Sequence, residues 1–403
     1  MEDPNPTPAP APSGGRPLAG LRILDFSRVV AGPFATRMLS DLGAEVVKVE
    51  PPDGDITRIW GAKRAGLSGF FTQQNAGKRN ICVDMKAPGA RELLLGLAAR
   101  ADVVVENYRP GVMERLGLGY HDMRQANPAV VMLSISGFGQ RSSWAGRAAF
   151  APIIHAESGL VARQAHFDGT VPSDPMLSIA DTNASLHGVI AVLSALRMRD
   201  RTGQGQHIDL SMLNTMTVTD DYAHHALDGE PVQRLGGFVY ATGYGHILVA
   251  GDLRSQWHQL SHIGVVRDGL DRRAPVSEKA ATRKRVLHEW FASFSERRPL
   301  IAALDRANVA WADIRPSAEA FEVEVADELR LTAEIDGRDG APRRVVESPY
   351  HFSDATSGVR GPAPWRGEHN AEVLAEWMGL GADDVERLGA DGVLLASTDE
   401  ERA

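Results

Sequence analysis

The residue best suited to covalent chemistry in this 403-residue chain is Asp181, in the segment Ser178-Ile179-Ala180-Asp181-Thr182-Asn183. It lies between a short apolar run and a long stretch of apolar residues at helical spacing. A carboxylate is normally ionised at pH 7, so it can attack an activated carbonyl without a general base. Asp is also a preferred helix N-cap, because its oxygen accepts a hydrogen bond from a free backbone N–H. Taken alone, the pattern favours the cap.

Other catalytic arrangements have less support in the sequence. Cys82 is the only cysteine, which excludes an internal disulfide and paired-cysteine metal sites, and its place in a predicted strand favours simple burial. The sequence contains no G-x-S-x-G nucleophile motif. His258 and His262 share a predicted helical face but have no carboxylate nearby, and the adjacent His224 and His225 diverge by about 100° on a helix. The sequence therefore predicts no metal site.

Basic residues near predicted strand and helix ends form a second feature of interest: Lys78, Arg79, Arg109 and Arg115. Arginine forks match phosphate oxygens, so this set suits a phosphate-bearing ligand. Ordinary solvated surface charge explains each of them equally well, and the residues alone leave both interpretations open. The net charge of −9 argues against a general nucleic-acid or anionic-membrane surface.

Strands alternate with helices from residue 17 to residue 224, which predicts a large α/β domain with a doubly wound, mostly parallel sheet. The predicted strands are 21–26, 45–50, 81–84, 102–107, 130–135 and 207–210. The loop at 27–32 follows the first strand and would lie at the C-terminal edge of the sheet, where ligands bind in such folds. It lacks the G-x-G-x-x-G dinucleotide pattern.

The remaining regions differ in composition. Residues 1–16 are rich in proline and predict a disordered extension. Residues 225–330 predict a smaller α+β domain, in which Leu287, Trp290, Phe291 and Phe294 share a helical face. Residues 331–403 predict a linker, to about 365, and then a helical return to the large domain over 370–392. We expect no apolar run to reach the roughly 20 residues that span a membrane. Together with the single cysteine and the lack of a signal-peptide pattern, this predicts a cytoplasmic protein.

Beyond these patterns, the chain resembles the class III CoA-transferases, the family of formyl-CoA:oxalate and carnitine CoA-transferases, to which α-methylacyl-CoA racemase is related. The resemblance covers nearly the whole chain from residue 17. It is carried by LAGLRILDFSRVVAGPFATRMLSDLGAEVVKVEPPDGDITR, NAGKRNICVDMK, ADVVVENYRPGVMERLGL, the Asp181 segment through RTGQGQHIDLSML, and GEHNAEVL. It implies a Rossmann-like large domain, a smaller α+β domain and an interlocked homodimer, in which each chain forms a ring around the other.

The resemblance also implies an activity and the residues that perform it. CoA would pass from an acyl-CoA to a carboxylic acid through an aspartyl anhydride and an aspartyl–CoA thioester at Asp181, with CoA as substrate and no permanently bound cofactor. The implied CoA contacts are Val29, Ala31, Lys78, Arg79, Asn107 and Arg115. Gly236 and Gly237 are candidates for a closing loop, although ordinary turns explain them as well. Arg147 and His155 are candidates to meet the second carboxylate of a dicarboxylic acyl group of the mesaconyl or succinyl type.

Two departures from the family pattern leave alternatives open. Pro51 stands where some relatives have an arginine for the CoA nucleotide, and Phe150 stands where the racemase has its catalytic histidine. The second departure argues against 2-methylacyl-CoA racemisation, which needs an acid–base pair at the α-carbon. A non-catalytic CoA-binding protein is the third interpretation, and the combination of Asp181 with the basic residues argues against it.

Overall fold

The computed structural model of the protein describes residues 14–230, 236–271 and 273–402. The chain divides into two compact units, the first formed by Met1–Ala223 with Asp327–Ala403 and the second by His224–Ala326. The predicted disordered extension, residues 1–16, lies outside the described residues as far as residue 13.

The secondary structure follows the chain in this order. The strands are β1 (Arg22–Asp25), β2 (Glu45–Glu50), β3 (Lys63–Arg64), β4 (Leu67–Ser68), β5 (Arg79–Val83), β6 (Val103–Glu106), β7 (Val131–Ser136), β8 (His207–Ser211), β9 (Phe238–Thr242), β10 (Gly245–Val249), β11 (Trp311–Asp313), β12 (Thr332–Asp336), β13 (Pro342–Val346) and β14 (Leu394–Leu395). The α-helices are α1 (Ala31–Asp41), α2 (Gly69–Asn75), α3 (Ala90–Ala98), α4 (Val112–Arg115), α5 (Tyr120–Ala126), α6 (Ala151–Glu157), α7 (Leu160–Asp168), α8 (Ile179–Thr202), α9 (Met212–Val218), α10 (Ala223–Asp228), α11 (Leu253–His262), α12 (Val276–Ala292), α13 (Arg297–Arg306), α14 (Asn370–Met378), α15 (Ala382–Ala390) and α16 (Asp399–Arg402).

A seven-stranded sheet in the order β14-β5-β2-β1-β6-β7-β8 forms the centre of the first unit. Neighbouring strands are parallel except at one edge, where β14 runs antiparallel to β5. The α/β class and the mostly parallel sheet are confirmed. Each predicted strand is present, with its ends within two residues of the prediction.

Successive side chains of a strand point to opposite sides of the sheet, so these apolar strands give the sheet two apolar faces. Helices cover both of them. On β6, Val103 and Val105 pack into the core that contains Leu39 of α1. The intervening Val104 packs into the other core, with Leu94 of α3. Strands that are buried on both faces read as continuous apolar runs, and for this reason the sequence identified them well.

Helix α8 carries Asp181 in its first turn and, with 24 residues, packs against β7 and β8. By length and composition alone it is long and apolar enough to cross a membrane, so the expectation that no segment reaches this length is wrong. One of its faces, with Ala184 and Val192, is buried in the core of the first unit. The opposite face exposes Leu186 by 45%, Ile190 by 59% and Leu193 by 36%.

The second unit contains the antiparallel sheet β11-β10-β9. Its core includes Leu287 and Phe291 of α12, both fully buried, with Trp290 and Phe294 packed against them. The predicted helical face at these positions is therefore confirmed for α12, although Phe294 lies just beyond the C-terminal end of the helix.

The region predicted as a linker is folded. Residues 331–365 include the hairpin β12–β13, whose Ile335 and Val345 pack against Ala76 within the first unit. The linker interpretation is corrected here: arginine, glycine and proline are frequent in this segment, and each strand of the hairpin contains only two apolar residues besides proline. The predicted return over 370–392 consists of α14 and α15, separated at Gly379.

Candidate active site

A cavity of about 560 Å³ lies at the C-terminal ends of β1, β6 and β7 within the first unit. Because these strands are parallel, the loops that follow them meet at one edge of the sheet. Five of the predicted site residues line it: Val29, Ala31, Asn107, Arg147 and Asp181. The loop at 27–32 therefore occupies the ligand-binding edge that its position in the sequence predicted.

The loop at 27–32, called the cavity loop below, has an unusual backbone conformation. Val29 has a φ of 69°, in the left-handed region that a β-branched side chain disfavours. Its N–H donates to Asp55 Oδ2 at 3.2 Å, while Asn107 accepts from the Arg28 N–H at 2.8 Å and donates to the Arg28 carbonyl at 2.7 Å. Such a conformation costs about 1–3 kcal/mol and persists only where its surroundings fix it. Asn107 therefore helps to shape the loop as well as lining the cavity.

Lys78 lies outside the cavity lining, in the core beneath the loop. Its side chain is fully buried and Nζ donates to Asp25 Oδ2 at 3.0 Å, the Pro33 carbonyl at 2.9 Å and Asn75 Oδ1 at 2.9 Å. An ammonium group has three hydrogens, so none is left for a phosphate in this arrangement. Burial lowers the pKa of Lys78 to about 8, although Asp25 opposes the shift. The structure gives Lys78 a structural position, in contrast to the predicted contact with CoA.

Arg79 and Arg115 also lie outside the cavity lining. Arg79 forms ion pairs with Glu45 and Glu376. Arg115 is exposed at the C-terminal end of α4. Of the basic set found in the sequence, Arg109 lines the cavity. A further cation, Arg28, lies in the cavity loop over the ring of Tyr108, 5.4 Å from its centroid.

Asp181 is the third residue of α8 and is partly buried at the cavity wall. The N-cap position belongs to Ser178, so the interpretation of Asp181 as the helix cap is wrong. Burial raises the pKa of Asp181 to about 6, while the nearby backbone N–H of Ala31 acts in the opposite direction. About nine in ten of these carboxyls are then ionised at pH 7, and a higher pKa accompanies a more basic, more nucleophilic oxygen.

His155 occupies a different position from the one predicted. Its side chain is fully buried in α6 and does not line the cavity. Nδ1 lies 2.8 Å from Asp174 Oδ1, and Nε2 accepts the Ala180 N–H at 3.1 Å. Since both ring nitrogens are engaged, neither is available to a substrate. The contact predicted with a second substrate carboxylate is therefore corrected.

Arg147 lines the cavity and is exposed. Its guanidinium group pairs with Glu157 Oε1 at 2.5 Å and lies 4.9 Å from the ring centroid of Trp144. Phe150, which is 66% exposed, lines the cavity next to it. A phenyl ring cannot transfer protons, so this position lacks the base that racemisation needs.

Sequence reasoning missed several residues of the cavity wall. Trp60 and Phe70 form an edge-to-face pair with centroids 5.1 Å apart, and they come from a segment that carried no site signal. Ser136 ends β7, is 7% exposed, and its hydroxyl has no hydrogen-bond partner among the described residues. Buried hydroxyls are usually paired, so this one is free to bond to a ligand. Because Ser136 ends the mostly apolar strand β7, its position in the sequence did not indicate that its hydroxyl lies at the cavity.

Gly236 and Gly237 belong to the second unit and directly precede β9. A Cβ at Gly237 would lie 2.5 Å from the Val249 carbonyl oxygen, so this glycine is needed for close packing within that unit. This favours the structural interpretation of Gly237.

The parallel sheet, the cavity at its C-terminal edge and the Asp181 carboxylate in the cavity wall suit an α/β enzyme of acyl-transfer type. Residues 18–370 match the family model described as CoA-transferase family III. The chain belongs to this family, and it is an acyl-CoA:carboxylate CoA-transferase that uses acyl-CoA as a substrate.

Similar proteins extend over nearly the whole chain. A succinate–glutarate CoA-transferase of Agrobacterium fabrum is 31% identical over 91% of this chain and 96% of its own length. A succinyl-CoA:mesaconate CoA-transferase of Haloarcula hispanica is 29% identical over 92% and 98%, respectively. The crystal structure of a CAIB/BAIF family protein from Brucella suis superposes with a TM-score of 0.79 at 30% identity, covering 90% of this chain and all of that one.

Proposed function

We propose that this enzyme transfers CoA between dicarboxylic acids, with Asp181 as the nucleophile. The observation that carries the proposal is the partly buried Asp181 carboxylate, which lines the cavity with a pKa of about 6. The relatives named for succinate, glutarate and mesaconate support the dicarboxylic class. Three cations that line the same cavity, Arg28, Arg109 and Arg147, supply charge for CoA phosphates and for a distal carboxylate.

The proposed reaction proceeds through covalent intermediates on Asp181. One carboxylate oxygen attacks the thioester carbonyl, the C–S bond breaks, and CoA leaves as a thiolate with an aspartyl–acyl anhydride behind it. The thiolate then attacks the aspartyl carbonyl, which releases the donor acid and leaves an aspartyl–CoA thioester. The acceptor carboxylate repeats the two steps in reverse order, and Asp181 is regenerated with no net gain or loss of protons or electrons.

The surroundings of Asp181 suit this sequence. The backbone N–H of Ala31, at the end of the loop at 27–32, favours the charged form of this carboxylate. Backbone N–H groups at a helix start favour negative charge, which develops as the carbonyl is attacked. Val29, Ala31 and Asn107 remain proposed CoA contacts. Arg28 and Arg109 are proposed to take over the phosphate contacts first assigned to Lys78, Arg79 and Arg115.

Substitution of the nucleophile tests the proposal. Asp181→Ala should abolish CoA transfer between succinyl-CoA and a dicarboxylic acid while the circular dichroism spectrum stays unchanged. Asp200→Ala, on the exposed C-terminal part of the same helix, is the matched control and should retain full activity. Near-wild-type transfer by Asp181→Ala would refute the role of Asp181 as the nucleophile.

Trapping the intermediate provides an independent test. Hydroxylamine added with acyl-CoA should convert an aspartyl–CoA thioester into a hydroxamate, which peptide mass spectrometry would map to Asp181. Modification at another carboxylate would contradict its role. Exchange of deuterium into the acyl α-carbon would instead support the racemase alternative.

We further propose that the enzyme acts as a homodimer, interlocked as the resemblance implies. The exposed apolar stripe of α8, formed by Leu186, Ile190 and Leu193, supports a covering partner. Sedimentation should give twice the chain mass, and Ile190→Glu should weaken the dimer. If the rings are interlocked, mixed tagged and untagged dimers should form only after unfolding and refolding. A monomeric wild-type protein would exclude this arrangement.

A further inference from the structure

We propose that His155 is a positioning residue for the reaction, which fixes the first turn of α8 and thereby the carboxylate of Asp181. Asp174 in turn fixes the orientation and tautomer of the His155 ring. This inference rests on the proposed role of Asp181 as nucleophile, and assigns to His155 a task other than contact with substrate.

The start of α8 lacks the usual local cap. The first N–H groups of a helix have no partner within the helix and are commonly satisfied by the side chain of the N-cap residue. Ser178 holds the N-cap position, but its side chain makes no capping hydrogen bond in the described structure. His155 Nε2 accepts the N–H of the fully buried Ala180 at 3.1 Å instead. A residue from α6 therefore caps the turn that carries the nucleophile.

The two hydrogen bonds of His155 define its protonation pattern. A nitrogen that accepts an N–H carries no proton, so Nδ1 holds the ring proton and donates it to Asp174 Oδ1 at 2.8 Å. The opposite tautomer would direct two N–H groups at each other across the Ala180 contact. Asp174 thus selects the tautomer that can cap the helix, as a carboxylate partner commonly does for a functional histidine.

The packing around His155 makes this link rigid. Ile154, adjacent to His155 on α6, is fully buried in the same core cluster as Ala180 and Ala184 of α8. The first residues of α6, Ala151 and Pro152, line the cavity. The same short helix therefore forms part of the cavity wall and holds the nucleophile's helix, so that a change at His155 alters the relation between them.

Two amide substitutions separate the two hydrogen bonds. In His155→Gln the side-chain oxygen reaches the Nε2 position and can still accept from Ala180. In His155→Asn the shorter amide reaches the Nδ1 position, which preserves a partner for Asp174 but leaves the Ala180 N–H unpaired. Each variant is neutral and smaller than histidine, so the pair is matched in charge and in polarity.

The readout is the rate of aspartyl–CoA thioester formation at saturating acyl-CoA, trapped with hydroxylamine, together with KM. A misplacement of about 1 Å can slow a reaction about 100-fold. We expect His155→Asn to slow formation about 10- to 100-fold with KM nearly unchanged, and His155→Gln to restore most of the rate. Equal rates in the Asn variant and the wild type, or equal losses in both variants, would overturn the inference.

A second variant covers the case in which His155→Asn does not fold. The Asp174 side chain is 39% exposed, so Asp174→Ala removes the orienting group without opening the core. It should slow the same step with KM nearly unchanged, and an unchanged rate would overturn the inference. Asp181→Ala, measured in the same experiment, distinguishes failure of the proposed function from failure of this inference. If the intermediate is still trapped in Asp181→Ala, the proposed function is refuted. If trapping is lost in Asp181→Ala while His155→Asn forms the intermediate at the wild-type rate, only the role of His155 is refuted.

Discussion

Replacing Asp181 by asparagine should make the enzyme inactive and more stable. Folding raises the pKa of this carboxyl from 3.8 to about 6, because burial disfavours its charged form. The unfolded state therefore binds fewer protons than the native state between these values, and the ionised carboxylate costs stability as the pH rises through them. A shift of this size corresponds to about 3 kcal/mol at pH 7, which solvent in the cavity reduces to about 1–2 kcal/mol. Asparagine keeps a side-chain oxygen acceptor at this position but carries no charge.

Urea denaturation of the wild type and of Asp181→Asn at several pH values measures this effect. The stabilisation should be largest above pH 6 and should shrink toward zero at about pH 3 and below, where the wild-type carboxyl is protonated in both states. Asp200→Asn, an exposed position on the same helix, should leave the free energy of unfolding unchanged. If Asp181→Asn is no more stable than the wild type at pH 7, the carboxylate is not desolvated as described, and the physical reason for its reactivity is lost.

Three further predictions concern pH, the buried ion pair and the cavity wall. The single-turnover rate should fall about tenfold per pH unit below a limb near pH 6, as Asp181 is protonated. Lys78→Met should lower the free energy of unfolding in urea by about 3–5 kcal/mol, because Asp25 loses its closest buried cation. Ser136→Ala should leave that free energy nearly unchanged, since its hydroxyl has no partner among the described residues, but should raise KM for acyl-CoA about tenfold through the loss of one ligand hydrogen bond.

Each of these outcomes has a control. The phosphate groups of CoA also titrate near pH 6, so the limb should persist with a thioester that lacks the 3′-phosphate; its disappearance would assign it to the ligand. Lys78→Met combined with Asp25→Asn should recover part of the stability, and no recovery would contradict their pairing. An unchanged KM in Ser136→Ala would mean that the hydroxyl does not meet the substrate.

The sequence predicted the sheet well because its strands are continuous apolar runs flanked by turn residues. The two-sided burial of β6 is readable in Val103, Val104 and Val105 alone. The hairpin β12–β13 was not readable, since its few apolar residues become meaningful only once they pack against Ala76 from a distant part of the chain. The start of α8 was misplaced for a related reason, because the acceptor that satisfies its N–H groups belongs to another helix.

In the candidate site, too, some features follow from local sequence and others depend on tertiary packing. The loop with Val29 and Ala31 lines the cavity because its position after β1 fixes its place in a parallel sheet. The resemblance implied a CoA contact for Lys78, and His155 was a candidate to meet a substrate carboxylate. In the structure both side chains are buried, and their nitrogens are hydrogen bonded within the protein. Residue type signals the capacity to bind, whereas the direction of a side chain depends on tertiary packing that no local pattern records.

The antiparallel strand β14 has a consequence for the synthesis of the chain. It closes the edge of β5 by pairing Leu394 with Val83, and α14 adds Leu374 and Trp377 to the core on the same face. While the ribosome is still translating the second unit, the first unit would therefore have an open strand edge at β5 and an apolar surface not yet covered by α14. Exposed edges of this kind promote aggregation, so this interval should depend on chaperones. Truncation before residue 370 should then reduce soluble yield even though Asp181 and the cavity residues are all retained.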